Sequence, residues 1–458
     1  MNKADIPFLS ATALGDLIRQ KTVSPVEATE AYLERIEEVD PKLNSYITLC
    51  PDQALEAARE REQAISRGDD LGSLHGVPVA VKDQFWTRGI RTTGGSTILA
   101  DYTPDEDATV VTRLKDAGAI LLGKLNMSEF ATGNSIGHAY GTPHNPWDLD
   151  RIPGTSSSGS GAATAAFLCA TSLGEDTGGS IRGPANNCGL VGLRPTWGLV
   201  SRYGMLGASW SMDTAGPISR TVEDCALTLQ AIAGYDPKDL YSADIQAPDY
   251  TSGLGGDIKG TRIGVVREAM SAAFLDPRVR DCVSQALAHL GELGASIEEV
   301  SIPSLETAAV VTRVILGVES AAVHQDWIRT RMPEYEHNVL LDLITGSVMP
   351  AQLYYKAQKL RELIRVQVFE ALDRVDLLAM PTSSEPAAMI QKKPGLESKE
   401  QARQRVSGRR NFTAIFNLAS VPALSVPCGF ITVDGTDLPT GLQLAGRPFD
   451  DVLLLKVA

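Results

Sequence analysis

Histidine is scarce in this chain, with six among 458 residues: His75, His138, His144, His289, His324 and His337. His289 and His337 fall in segments that read as ordinary helix or polar surface. Nothing marks a Ser-His-Asp arrangement, and no GxSxG elbow surrounds the most conspicuous serine, Ser180. The six cysteines, Cys50, Cys169, Cys188, Cys225, Cys282 and Cys428, are scattered without CxxC pairing. They read as reduced and structural, which excludes a disulfide framework, and the His and Cys spacing lacks a metal-ligand pattern. No phosphate-cradling GxxxxGK[ST] occurs, so no metal or cofactor is expected. No uninterrupted apolar run approaches the ~20 residues that span a bilayer, and no basic start leads into an apolar h-region. A cytoplasmic chain without a membrane partner is expected. Basic residues are outnumbered 42 to 56, and the net charge of −14 argues against a free-standing nucleic-acid binder.

What the chain does have is a pair of Gly/Ser-rich loops around one apolar segment. The first reads PGTSSSGSGAA and the second, from Asp176 to Ala185, DTGGSIRGPA. Ser180 follows Gly178 and Gly179, so backbone can pass close to a bound group and N–H donors can converge on a developing oxyanion. An acyl-transfer nucleophile needs this. A serine hydroxyl also needs a base, and HGVPVAVKD ends an apolar, β-branched run on Lys82, where burial favours the neutral amine. Asp83 follows it, but neighbours along a strand point to opposite faces, so the two are not expected to pair.

These segments resemble the amidase signature family, serine hydrolases with a Ser–cis-Ser–Lys triad. The resemblance runs in order through VPVAVKD, KLNMSEFATG, NPWD, PGTSSSGSGAA, DTGGSIRGPANNCGLVGLRPTWGLVSRYG, MDTAGPISRTVEDCA, VPALSVPCGF and GLQLAGRPF. It implies Ser180 as nucleophile, Lys82 as general base and a cis-bonded bridging serine. Aligning Gly154 with the first glycine of the family's GGSSGGS puts Thr155 in the second glycine's place and Ser156 in the bridge, 24 positions before Ser180. Ser157 is the second reading. Thr155, Ser158 and Gly161 depart from the family's usual residues and put local loop geometry in question. The resemblance further implies an oxyanion hole from the N–H groups of Thr177, Gly178, Gly179 and Ser180, and activity rising toward alkaline pH as Lys82 loses its proton. Met127, Gly154, Thr155 and Arg182 are candidate substrate contacts. Arg182 has a competing reading as a structural partner of Asp176 or Asp213, and Ser96, in a second GGS, reads as structural or pocket-lining.

The expected fold is α/β, with a central mixed β-sheet covered by helices on both faces and no internal repeat. One continuous domain is expected: a helical N-terminal part (1–70), a catalytic core (about 72–234), a variable pocket-wall region (about 262–410) and C-terminal core strands (411–458). Ser24-Pro25-Val26-Glu27 announces a helix by its capping box, a second is expected from Ala54 to Ser66, and a third from Gly161 to Leu168. The charged stretch 383–410 reads equally as a solvated segment and as a lid.

The activity expected from the resemblance is cleavage of a small, fairly apolar amide, anilide or carbamate by a self-sufficient amidase of the aryl acylamidase or urethanase kind. Trp210, Trp327, Tyr354 and Tyr355 in the outer wall favour that side. Its partner would be the small molecule alone, without nucleic acid, and a homodimer is possible. The alternative is the glutamine-hydrolysing A subunit of a tRNA-dependent amidotransferase, which needs partner subunits.

Overall fold

The computed structural model describes residues 2–69, 72–132, 138–391 and 412–458. Their strands are β1 (Tyr46–Leu49), β2 (Pro78–Lys82), β3 (Ile120–Leu125), β4 (Thr171–Glu175), β5 (Val191–Arg194), β6 (Ala215–Ser219), β7 (Arg262–Val266), β8 (Ser296–Val300), β9 (Leu377–Pro381), β10 (Ala423–Val433) and β11 (Thr436–Ala445). They form one sheet of 11 strands in the order β1-β3-β2-β4-β6-β5-β10-β11-β9-β7-β8. The sheet is mixed: β2 runs parallel to β3 and β4, β7 runs parallel to β8 and β9, and antiparallel pairs join the two parallel blocks. Helices flank it. Strands β2, β3 and β4 are buried at every position, β2 and β3 as largely apolar runs between helical layers.

The helix Pro25–Leu43 begins with the expected capping box, the Ser24 side chain accepting from Glu27 N–H and the Glu27 carboxylate from Ser24 N–H. The second expected helix spans Pro51–Arg67, opening earlier because Pro51 suits a first turn. The third spans Ser158–Ala165 rather than Gly161–Leu168. Small residues allow the earlier start, since a Cβ on Gly159 would lie 2.4 Å from the Ser45 carbonyl oxygen, and the left-handed Phe167 (φ 61°) precludes the later end. The helical N-terminal part contributes β1, and the wall region contributes β7, β8 and β9 to one side of the sheet. The helices Leu305–Val323 and His337–Ser347 stand over the loop ends. A small apolar cluster of Ile98, Phe130, Tyr335, Val339 and Leu343 ties the second of them to the core. Of the stretch 383–410, residues 392–410 lie outside the described residues. No helix among the described residues is long and apolar enough to cross a membrane.

Candidate active site

Strand register assembles the polar centre. β2 and β4 run parallel with Val81 opposite Leu173, so Lys82 and Glu175 end side by side. β6 is antiparallel to β4 with Ala215 opposite Glu175, which brings Asp213, two residues before Ala215, to the same place. Lys82 is fully buried, and its Nζ donates to Ser156 Oγ at 2.9 Å and Glu175 Oε2 at 3.0 Å. Burial pulls its ammonium below the ordinary lysine value, against the opposing pull of Glu175, Asp213 and Asp176. Asp83 faces the other way and lies 3.6 Å from the Lys124 ammonium, as strand alternation requires.

Of the serines competing for the bridging place, Ser156 contacts Lys82, whereas the Ser157 hydroxyl is engaged by the Glu175 backbone, donating to its carbonyl at 3.2 Å and accepting from its N–H at 3.3 Å. The expected cis bond is not found: every peptide bond among the described residues is trans. A trans backbone already places the Ser156 hydroxyl within hydrogen-bond reach of Lys82.

The second loop is built around Asp176. Its carboxylate accepts from Gly179 N–H at 2.8 Å, Ile181 N–H at 3.1 Å, Arg182 Nε at 3.1 Å and Asn417 Nδ2 at 2.7 Å. Burial works to raise this carboxyl, yet Arg182, Arg194 and Asn417 together hold it well below the usual carboxylate range. Gly179 is therefore withdrawn from the expected oxyanion hole, its N–H being spent on Asp176. It must still be glycine: φ is 121°, and a Cβ would lie 2.0 Å from Thr413 Oγ1.

Ser156, Thr177, Gly178, Gly179 and Ser180 line one cavity of about 330 Å³, together with Gly154 and Thr155. Two other expected substrate contacts do not. Arg182 is fully buried and spent on Asp176, Gln443, Asn417 and the Thr413 carbonyl, because a guanidinium so placed must satisfy its donors internally. Met127 is fully buried, its N–H bonded to Asn126 Oδ1 and its carbonyl to His138 Nδ1. Ser96 is structural, donating to Glu129 Oε1 at 2.6 Å. No histidine among the described residues lines the cavity.

The opposite wall comes from Thr312, Arg313, Leu316 and Ser320 on one helix and Asp342 on the other, with Arg313 and Asp342 paired at 2.9 Å. The four outer-wall aromatics are not among its lining. Trp327 stacks on Phe130 at 5.3 Å, the Tyr354 hydroxyl donates to Glu319, and Trp210 and Tyr355 are exposed. Sequence reasoning missed Glu175 altogether and weighed Asp213 only as a partner for Arg182. The signal for Glu175 was a carboxylate at the end of a buried strand, directly before the glycine loop.

The amidase family model matches residues 27–455. This chain belongs to the amidase signature family. Among curated relatives of this family member, the A subunit of the Glutamyl-tRNA(Gln) amidotransferase of Moorella thermoacetica is 44% identical over 99% of the chain and 96% of the relative. Among solved structures, one from a vestigial protein complex bearing on the origins of an s-triazine catabolic enzyme superposes with a TM-score of 0.90 at 33% identity, covering 98% of this chain and 97% of that one. The A subunit of the Thermotoga maritima Glutamyl-tRNA(Gln) amidotransferase superposes with a TM-score of 0.81 at 32% identity, covering 99% and 94%. These likenesses to amidotransferase A subunits overturn the expectation of a self-sufficient anilide or carbamate hydrolase, and with it that of a chain working on a small molecule without further subunits or nucleic acid. The aromatic residues that supported the discarded reading are spent on packing and on surface, not on the cavity.

Proposed function

We propose that this amidase-family hydrolase is the glutamine-hydrolysing A subunit of a tRNA-dependent amidotransferase, releasing ammonia for transfer within an assembly. The observation that carries this reading is the 44% identity to an amidotransferase A subunit over 99% of the chain. The site supports the chemistry. Neutral Lys82 draws the Ser156 proton as Ser156 takes that of Ser180, and the Ser180 oxygen attacks the carboxamide carbon. The oxygen of the tetrahedral intermediate takes up its negative charge against the N–H groups of the DTGGS loop. The C–N bond breaks as Lys82 returns the proton through Ser156 to the leaving nitrogen, and water releases the acyl group along the same relay. Neutral polar side chains, among them Thr312, Ser320 and Thr413, and the Arg313–Asp342 pair suit a polar amide in the cavity.

The test is ammonia release from glutamine by the purified chain, alone and with its partner subunits, beside Ser180→Ala. Glutaminase activity that appears or rises with the partners and is lost in Ser180→Ala is the expected result. Failure to hydrolyse glutamine with the partners present overturns the assignment.

A further inference from the structure

The Thr177 hydroxyl sits between two buried carboxyl groups. It is in contact with Glu175 Oε1 and lies 2.7 Å from Asp213 Oδ1, and all three side chains are buried. A hydroxyl carries one proton and an ionised carboxylate none, so Thr177 can donate to only one of the two. The other contact requires a carboxyl proton. The outer oxygens are occupied as acceptors: Glu175 Oε2 takes Lys82 Nζ at 3.0 Å, and Asp213 Oδ2 takes the N–H groups of Ala208 and Ser209 at 2.8 Å each. The proton therefore belongs on one of the two inner oxygens that face Thr177.

We propose that Glu175 and Asp213 are positioning residues that hold a single proton between them across the Thr177 hydroxyl, and that the side on which it rests decides whether Lys82 stands as amine or ammonium. The proposal rests on Ser180 and Lys82 being nucleophile and base, and on nothing about glutamine. The charged groups around Lys82 are Glu175, Asp213, Asp176, Arg182 and Arg194. Arg182 and Arg194 lie against Asp176 at 3.0 and 3.8 Å. Two guanidinium charges balance Asp176 and one further carboxylate, so with one proton on the Glu175–Asp213 pair the centre is neutral when Lys82 is an amine. Burial, and then the charge of an ionised Glu175, push the Asp213 carboxyl up to about 7; this is the arrangement, proton on Asp213 and Glu175 ionised, that accompanies a Lys82 ammonium.

In the resting state Glu175 carries the proton on Oε1 and donates it to Thr177, whose own proton points to Asp213. Lys82 then has no anion beside it and stays neutral. As Ser156 passes its proton to Lys82 and takes that of Ser180, whose oxygen bonds to the carbonyl carbon, the Glu175 proton crosses to the Thr177 oxygen and the Thr177 proton crosses to Asp213 Oδ1. Within the Glu175–Thr177–Asp213 group two protons shift by one hydrogen bond each, and its net charge does not change. Glu175 is now the carboxylate beside the new ammonium. The reverse shift accompanies return of the proton to the leaving nitrogen.

The test follows the rate of Ser180 labelling by a fluorophosphonate against pH, a readout that needs neither substrate nor partner subunits. Labelling that disappears in Ser180→Ala establishes the serine chemistry separately from the proposal. Glu175→Gln keeps the hydrogen bonds and removes the anion, so the acid limb moves to lower pH and the plateau rate falls. Asp213→Asn holds Glu175 ionised, so the limb moves about one unit to higher pH. Limbs that stay in place, or move in the same direction, overturn the proposal. Infrared titration of the unmutated protein gives a second check independent of variant folding: a protonated carboxyl band persisting above pH 6 is expected, and its absence also overturns the proposal.

Discussion

In the proposed mechanism Lys82 concentrates the chemistry in one side chain. An ammonium cannot accept a proton, so activity rises with pH through the Lys82 ionisation and then levels. Burial sets that ionisation below the ordinary lysine value, and the acid limb of a pH–rate profile is expected there. Lys82→Arg keeps the charge and never deprotonates, so a loss of ~10²–10⁴ in kcat is expected, measured as ammonia release. Gly179→Ala brings a Cβ against Thr413 at a left-handed φ and deforms the loop that carries Ser180. A loss of at least ~10² in kcat is expected, comparable with removing an oxyanion donor. Lys82 and Ser180 were legible because each ends or interrupts a strongly patterned segment. Glu175 was not, because its contact with Lys82 arises from the register of two strands 93 positions apart, which no local pattern encodes.

Among the elements, the helix Arg182–Cys188 and the loop before it are pinned by one guanidinium. Arg182 joins the Asp176 loop to Asn417 on the helix Ala414–Ala419 and to Gln443 on β11. Arg182→Leu leaves Asp176 buried without its bidentate partner, and a destabilisation of about 3–5 kcal/mol is expected by denaturant unfolding. The competing readings of Arg182 could not be separated in the sequence, since SIRG places the side chain beside the nucleophile whichever way it points. Helix starts were legible where a cap announced them, as at Ser24, and misplaced where only small residues did, as at Ser158. The buried strand β2 was legible from the apolar run that ends on Lys82. Its neighbours in the sheet were not, because pairing depends on crossovers through the whole chain.

For the molecule as a whole, residues from 46 to 445 contribute to one sheet, and the cavity forms where its loop ends meet a helical wall. The fold class followed from the ordered motifs. The wall was expected in 262–410 as a region, but its cavity-facing residues Thr312, Leu316 and Ser320 were not legible, since they recur at helical spacing in a segment that reads as an ordinary helix, and the aromatics taken to mark the wall are not among the cavity lining. A net charge of −14 is poorly suited to hold a polyanion, which agrees with the proposal that this chain works with further subunits. The central claim is that glutamine is hydrolysed through an ester on Ser180. Mass spectrometry of the assembled enzyme, quenched during turnover of glutamine, tests it directly. The account predicts a γ-glutamyl adduct on the peptide carrying Ser180 and none in Ser180→Ala. Glutamine turnover that persists in Ser180→Ala, or an adduct on another residue, would contradict it.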